Sequence, residues 1–187
     1  MLPVEFKIND WGELAMILGM SVAAFTLFHV MLSLVGIAAG FLVLGGMLGS
    51  NRMPTMTAIF LVTTIATSVT GFMFHSAAIG PPHIVGAISL AVLAFTLIAL
   101  YGYRLAGRWR AIYVSTAVFA LYLNTFVGVV QAFQKIPALN VLAPKGNEPP
   151  FAIAQGLVLV VFVALGWMAV KRFHPTLATG AQLNPAM

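Results

Sequence analysis

Histidine and glutamine side chains are the residues of this chain whose type and spacing could do chemistry. The candidates for binding a cofactor are His29, His75, His83, Gln131 and Gln155. Neutral imidazole ligates metal ions and haem iron, and imidazole and amide groups hydrogen-bond carbonyl ligands. Because the chain has no cysteine and its four acidic residues lie outside the apolar segments, the candidate metal ligands reduce to His29, His75 and His83.

The elements that must position these side chains are membrane-spanning helices. Of 187 residues, 61% are hydrophobic and 7% charged, and the mean hydropathy is +1.02, a composition from which no water-soluble surface could be built. The charged borders of the apolar runs predict one all-α transmembrane domain over residues 1–187, a helical bundle with five spans. Those spans are predicted near 29–50, 54–75, 83–104, 110–133 and 151–170.

The apolar run from 14 to 51 is too long for one straight span, because a helix of that length would extend roughly 57 Å, about twice the hydrocarbon thickness. Asp10 and Glu13 have the spacing of a capping box. We therefore predict an N-terminal interfacial helix from about 11 to 24, anchored by Trp11 and joined to the first span with or without a kink. The competing interpretation divides the run into two short spans, which would give six helices.

The distribution of basic residues predicts the orientation in the membrane. With the N-terminus outside and the C-terminus in the cytoplasm, six of the nine Lys and Arg residues lie on the inner side and all four acids on the outer side. The basic residues occur singly or in small groups at the ends of apolar runs. The net charge of +5 therefore indicates membrane topology, and no nucleic-acid partner is expected.

Distances along the helices place the candidates near the outer side. His29 and His75 each lie 23 positions from Arg52, roughly 35 Å along a helix. His83 and Gln131 lie at nearly the same level, and Gln155 is somewhat deeper.

Small and hydroxylated residues continue from two of the histidines at helical spacing. The two stripes are His29, Ser33, Gly36 and Gly40, and Thr64, Ser68, Gly71 and His75. Such stripes mark contacts between membrane helices, so both histidines are expected to face the interior of the bundle.

The segment "HIVGAISLAVLAFTLIALYGYRLAGRWRAIYV", from His83 to Val114, resembles a helix, basic turn and Tyr-bearing helix found in other proteins. Those proteins are small uncharacterised bacterial polytopic membrane proteins, distantly similar to b-type cytochrome membrane subunits. The resemblance implies a bacterial inner (plasma) membrane protein linked to electron transfer. Diheme members of that group carry histidine pairs at two membrane levels. Since this chain has no intramembrane histidine near the inner side, at most one b-type haem is implied.

Three ligand chemistries remain open. One b-type haem could lie between His29 and His75, Cu or Zn could bind His29, His75 and His83, and a quinone could be hydrogen-bonded by His and Gln side chains. The working hypothesis is a redox-linked membrane subunit that binds one of these.

Two further function classes stay beside that hypothesis. The first is a non-catalytic accessory or assembly subunit that packs in the lipid bilayer against a larger membrane complex or a second copy of itself. The second is a small-molecule channel or transporter with the polar cluster as its outer vestibule. The absence of acids within the spans disfavours an ion-coupled transporter. Whether the protein is an enzyme stays open.

Overall fold

The computed structural model describes residues 16–74 and 80–175, and five long helices dominate them. These helices are long and apolar enough to cross a membrane, which confirms the predicted all-α multi-pass bundle. They are α1 (Val22–Leu48), α2 (Pro54–Gly71), α3 (Pro81–Leu97, continued by a π-helix at Ile98–Gly102), α4 (Trp109–Lys135) and α6 (Pro149–Arg172), with the short α5 (Pro137–Asn140) before α6.

A short β-hairpin precedes α1, in place of part of the predicted interfacial helix. Strand β1 (Met16–Ile17) pairs antiparallel with β2 (Met20–Ser21). The two residues between them, Leu18 and Gly19, have φ of 53° and 77°, which suits a tight hairpin turn and interrupts any helix. The prediction of a helix to about residue 24 was therefore wrong for 16–21, and its earlier part, 11–15, lies outside the described residues.

Helix α1 starts at a side-chain cap and then runs without a break. The Ser21 hydroxyl accepts a hydrogen bond from the Ala24 backbone N–H at 3.2 Å, which satisfies a free donor of the first turn. The helix continues for 27 residues to Leu48. The competing division of this apolar run into two short spans is not what the structure contains.

Helix α4 is the centre of the bundle. It packs against α1, α3 and α6, while α2 packs against α1 and α3. Phe60, Leu93, Val114 and Leu121 are among the side chains fully buried between these helices. Helix α6 lies at the edge and leaves most of its apolar side chains exposed, as expected for a surface that faces lipid.

The two ends of the bundle differ in chemistry. At one end, called the arginine end, the His174 backbone N–H donates to the Ser50 hydroxyl at 2.9 Å, and Arg110 donates to the carbonyl oxygens of Val170 and Phe173. These bonds hold the end of α6 against α4 and the end of α1. The opposite end carries His29 and His83 and is called the histidine end. That it faces outward remains a prediction.

Candidate functional site

A cavity of about 100 Å³ lies at the histidine end, where four helices meet. Its polar lining comes from every one of them. The residues are His29 and Ser33 of α1, Thr67 and Ser68 of α2, His83 and Ser89 of α3, and Asn124 of α4. This volume is called the histidine cavity.

The His29 ring is held by a hydrogen bond from α1 to α2. Its Nδ1 lies 2.8 Å from the Thr70 hydroxyl oxygen, which itself donates to the Ala66 carbonyl at 2.7 Å. Since that hydroxyl proton is already used, Nδ1–H is assigned as the donor to Thr70 in neutral imidazole. The Nε2 lone pair then has no hydrogen-bond partner within residues 16–74 and 80–175. The Phe74 ring meets the imidazole edge-on at 5.2 Å between centroids.

His83 is fixed by the start of α3. Pro81 and Pro82 occupy the first helical positions, and the Gly80 backbone N–H donates to Nδ1 of His83 at 3.2 Å. Neutral imidazole in this arrangement carries its proton on Nε2. The Phe72 ring packs beside it, with ring centroids 5.8 Å apart. The two histidines thus present opposite tautomers, one with an acceptor at Nε2 and one with a donor.

Hydroxyl groups line the cavity between α2 and α3. Ser68 lies within hydrogen-bond distance of the Thr64 carbonyl, at 3.0 Å, and of the Ser89 hydroxyl, at 3.1 Å. Thr67 is 8% exposed, and in the described part of the chain its hydroxyl oxygen has no hydrogen-bond partner. A buried hydroxyl without a partner is unfavourable, so a polar ligand in the cavity would relieve that cost.

The structure brings together two of the five candidates that the sequence singled out, His29 and His83. Gln155 is buried on α6, where its Nε2 donates to the Phe126 carbonyl at 3.1 Å, and it does not line the histidine cavity. Gln131 is exposed on α4 and also lies outside the cavity lining. His75 lies outside the described residues, so the His29–His75 pair and the three-histidine metal set stay predictions.

Thr67, Thr70 and Ser89 belong to the site, and the sequence did not single them out. The run "TTIATSVTG" contains the two threonines, but hydroxyls in membrane helices most often serve packing. The signal that could have found Thr70 is its position directly before Gly71, a member of the stripe that ends at His75.

The fold and the cavity together define an α-helical multi-pass membrane protein with a polar cavity near one end of its bundle. No protein-family model, curated protein or solved structure matches the chain. Within the described ranges, no group of three His, Cys, Asp or Glu side chains could hold a metal ion.

Proposed function

We propose that the histidine cavity binds the headgroup of a quinone-type ligand, and that the protein is a redox-linked, quinone-binding membrane subunit. One observation carries the proposal: two histidines from different helices line a single small cavity that also contains the unpartnered hydroxyl of Thr67. Ligand sites of this kind are mostly apolar, with a few polar groups that fix the orientation of the ligand.

The size of the cavity favours a single ring. An engineered apolar cavity of about 150 Å³ holds one benzene molecule, whereas drug-sized ligands occupy about 300–1,000 Å³. At about 100 Å³, the histidine cavity is on the scale of a six-membered ring. A haem macrocycle would need this region to open and would need His75 as its second axial ligand, so b-type haem is the less favoured ligand.

The polar groups match both redox forms of a quinone headgroup. The Nε2 lone pair of His29 would accept a hydrogen bond from a quinol hydroxyl, and could receive its proton. The hydroxyl of Thr67 would donate to a quinone carbonyl. Because quinol oxidation releases electrons as well as protons, the proposed role places the chain beside a redox partner in a larger membrane complex.

The test is direct binding of a short-chain quinone to the purified protein in mild detergent, measured by calorimetry. His29→Ala is expected to weaken binding about tenfold or more, the effect of losing one good hydrogen bond to the ligand. Gln131→Ala is the matched control, because Gln131 lies near the same level but outside the cavity lining. The control is expected to bind like the unchanged protein.

Two results would contradict the proposal. A Soret band with a sharp b-type feature in the reduced-minus-oxidised absorption spectrum would assign the histidines to haem. Folded protein that neither retains quinone through purification nor binds it on titration would support the accessory-subunit hypothesis, in which the polar groups serve packing alone.

A further inference from the structure

A second cavity, of about 320 Å³, lies at the arginine end, far from the histidines. The end of α1, the start of α2, the π-helix after α3 and the side of α4 surround it. Its apolar lining includes Val43, Met47 and Leu105, and its polar lining is Asn51, Arg52, Thr57, Tyr101 and Tyr113. The cavity therefore offers both apolar contacts for hydrocarbon and polar groups for a hydrogen-bonding anion.

Arg52 gives the cavity a positive charge, and no carboxylate of the described residues lies near enough to offset it. Glu148 is the only acid in the described part of the chain, and it lies in the loop before α6, at the histidine end. The Arg52 side chain is exposed, and the buried side chains of Thr57 and Tyr113 line the same cavity. An anion at Arg52 would thus have two hydroxyl groups close by.

The start of α2 is a second feature that attracts an anion. Pro54 occupies the first turn, and no side chain caps the helix at Met53. The free N–H groups of a first turn carry partial positive charge and attract anions. Met53, Pro54 and Thr57 at this end of α2 line the cavity together with Arg52 and Tyr113.

The backbone that follows α3 and lines the cavity departs from regular α-helix. Ile98–Gly102 is π-helical, and π-helical turns occur frequently at functional sites. Arg104 and Leu105 then adopt left-handed φ values of 49° and 64°, which cost energy for residues with a Cβ atom. Leu100, Tyr101 and Leu105 all line the cavity as a result.

We infer that this cavity binds the phosphate of an anionic phospholipid. Guanidinium, hydroxyl and backbone N–H donors together suit a tetrahedral phosphate, and the apolar lining suits the adjoining glycerol and acyl carbons. Basic cavities between membrane helices at the headgroup level bind lipid phosphates in this manner. Four further basic side chains of the same end are exposed and would attract the anionic leaflet in general: Arg104, Arg108, Lys171 and Arg172.

The experiment compares lipid retention by native mass spectrometry and thermal unfolding in detergent, with phosphatidylglycerol or phosphatidylcholine added. One phosphatidylglycerol is expected to remain bound to the unchanged protein and to raise its unfolding temperature, with a weaker effect of phosphatidylcholine. Arg52→Gln is expected to weaken that binding about tenfold or more. Arg172→Gln, which removes an exposed charge at the same end but outside the cavity, is expected to leave it unchanged.

Tyr113→Phe provides a second variant, since it keeps the buried ring and removes only the hydroxyl. It is expected to weaken phosphatidylglycerol retention by a smaller factor than Arg52→Gln. Equal retention of the two lipids, or equal losses in Arg52→Gln and Arg172→Gln, would overturn the inference. Inorganic phosphate alone could instead raise the unfolding temperature as much as phosphatidylglycerol does, with the effect abolished in Arg52→Gln. That result would show that the cavity binds soluble phosphate and not a lipid.

Discussion

The Nδ2 atom of Asn124 lies 3.2 Å from Oγ1 of Thr64, so that a buried amide on α4 donates a hydrogen bond to a buried hydroxyl on α2. Gly36 of α1 packs against the same pair, since a Cβ atom there would lie 3.2 Å from the Thr64 oxygen and 3.4 Å from Nδ2 of Asn124. Three helices meet at this point, at the edge of the histidine cavity. Lipid gives helices no hydrophobic reason to associate, so close approach and interhelical hydrogen bonds must hold them.

Asn124→Ala is expected to destabilise the bundle by about 1 kcal/mol, within the range measured for interhelical hydrogen bonds in membranes. The substitution removes the donor and leaves space beside Thr64. Unfolding by sodium dodecyl sulfate in mixed micelles would measure the change. Gln131→Ala removes an amide from the exposed part of the same helix and is expected to have almost no effect. Equal destabilisation by both variants would contradict a specific role for the Asn124–Thr64 bond.

Gly40→Ala tests the close approach of α1 to α2 and α4. A Cβ atom at Gly40 would lie 2.5 Å from Cδ1 of Leu121 and 3.0 Å from the ring of Phe60, and both of these side chains are fully buried. Overpacking of this kind is expected to cost about 1–3 kcal/mol. Gly45→Ala is the matched control on α1, because nothing lies within 4 Å of its added Cβ. Since alanine is the better helix former, that variant should be neutral or slightly stabilising. Equal destabilisation by Gly40→Ala and Gly45→Ala would show that overpacking at Gly40 does not cause the loss of stability.

Much of the bundle could be predicted because charge and helical periodicity are local properties of the sequence. Charged residues end the apolar runs, so the five spans follow from their lengths. The spacing of His29, Ser33, Gly36 and Gly40 predicted an interior stripe, and Gly36 and Gly40 indeed contact α2 and α4. The shared level of His29 and His83 likewise predicted that they could line one site.

The remaining features depend on how the helices are rotated and where the backbone turns. Gln131 and Gln155 both lie toward the histidine end, yet one is exposed and the other contacts α4, because packing sets the face that each presents. Thr67 likewise lines the histidine cavity only because α2 packs against α3, which the sequence of α2 alone does not determine. The turn at Leu18 and Gly19 lies in a continuous apolar run, where no periodicity separates strand from helix.

The Glu148 carboxylate, in the loop before α6, makes the stability of the folded protein depend on pH. It accepts hydrogen bonds from the backbone N–H groups of Lys145, at 3.0 Å, and Asn147, at 3.1 Å. Desolvation alone would raise the pKa of Glu148, but these and neighbouring backbone hydrogen bonds outweigh it and lower the pKa below the ordinary value of 4.5. Because the folded pKa is lower than the unfolded one, the stabilisation is present at neutral pH and is lost as the pH falls through the folded pKa.

Thermal unfolding of the unchanged protein and of Glu148→Gln, followed from neutral to acidic pH, would measure that contribution. The difference in unfolding temperature between the two proteins is expected to be small, because the carboxylate is near the surface. It is expected to shrink as the pH falls below the ordinary pKa of a glutamate side chain. Lys145→Gln keeps Glu148 and its backbone donor, so the difference in unfolding temperature between this variant and the unchanged protein should not change with pH. A difference that is the same at neutral and acidic pH would rule out ionised Glu148 as its source.

Thr70→Val tests whether the tautomer of His29 matters for ligand binding. The substitution removes the oxygen that accepts from Nδ1–H at 2.8 Å and leaves the imidazole in place. The ring can then turn or exchange its proton, so affinity for a short-chain quinone is expected to fall about tenfold. Thr125→Val is the control, since within the described part of the chain the hydroxyl of Thr125 bonds only the Leu121 carbonyl of its own helix, at 2.9 Å.

Thr70→Ser separates positioning of His29 from a purely structural role of Thr70. Serine keeps the hydroxyl that accepts from His29 and donates to the Ala66 carbonyl, so it should restore quinone affinity in calorimetry. A structural role predicts that Thr70→Val and Thr125→Val lower the unfolding temperature alike and leave affinity unchanged. Quinone binding that survives in Thr70→Val but is lost in His29→Ala would mean that the imidazole binds the ligand without needing its orientation fixed by α2.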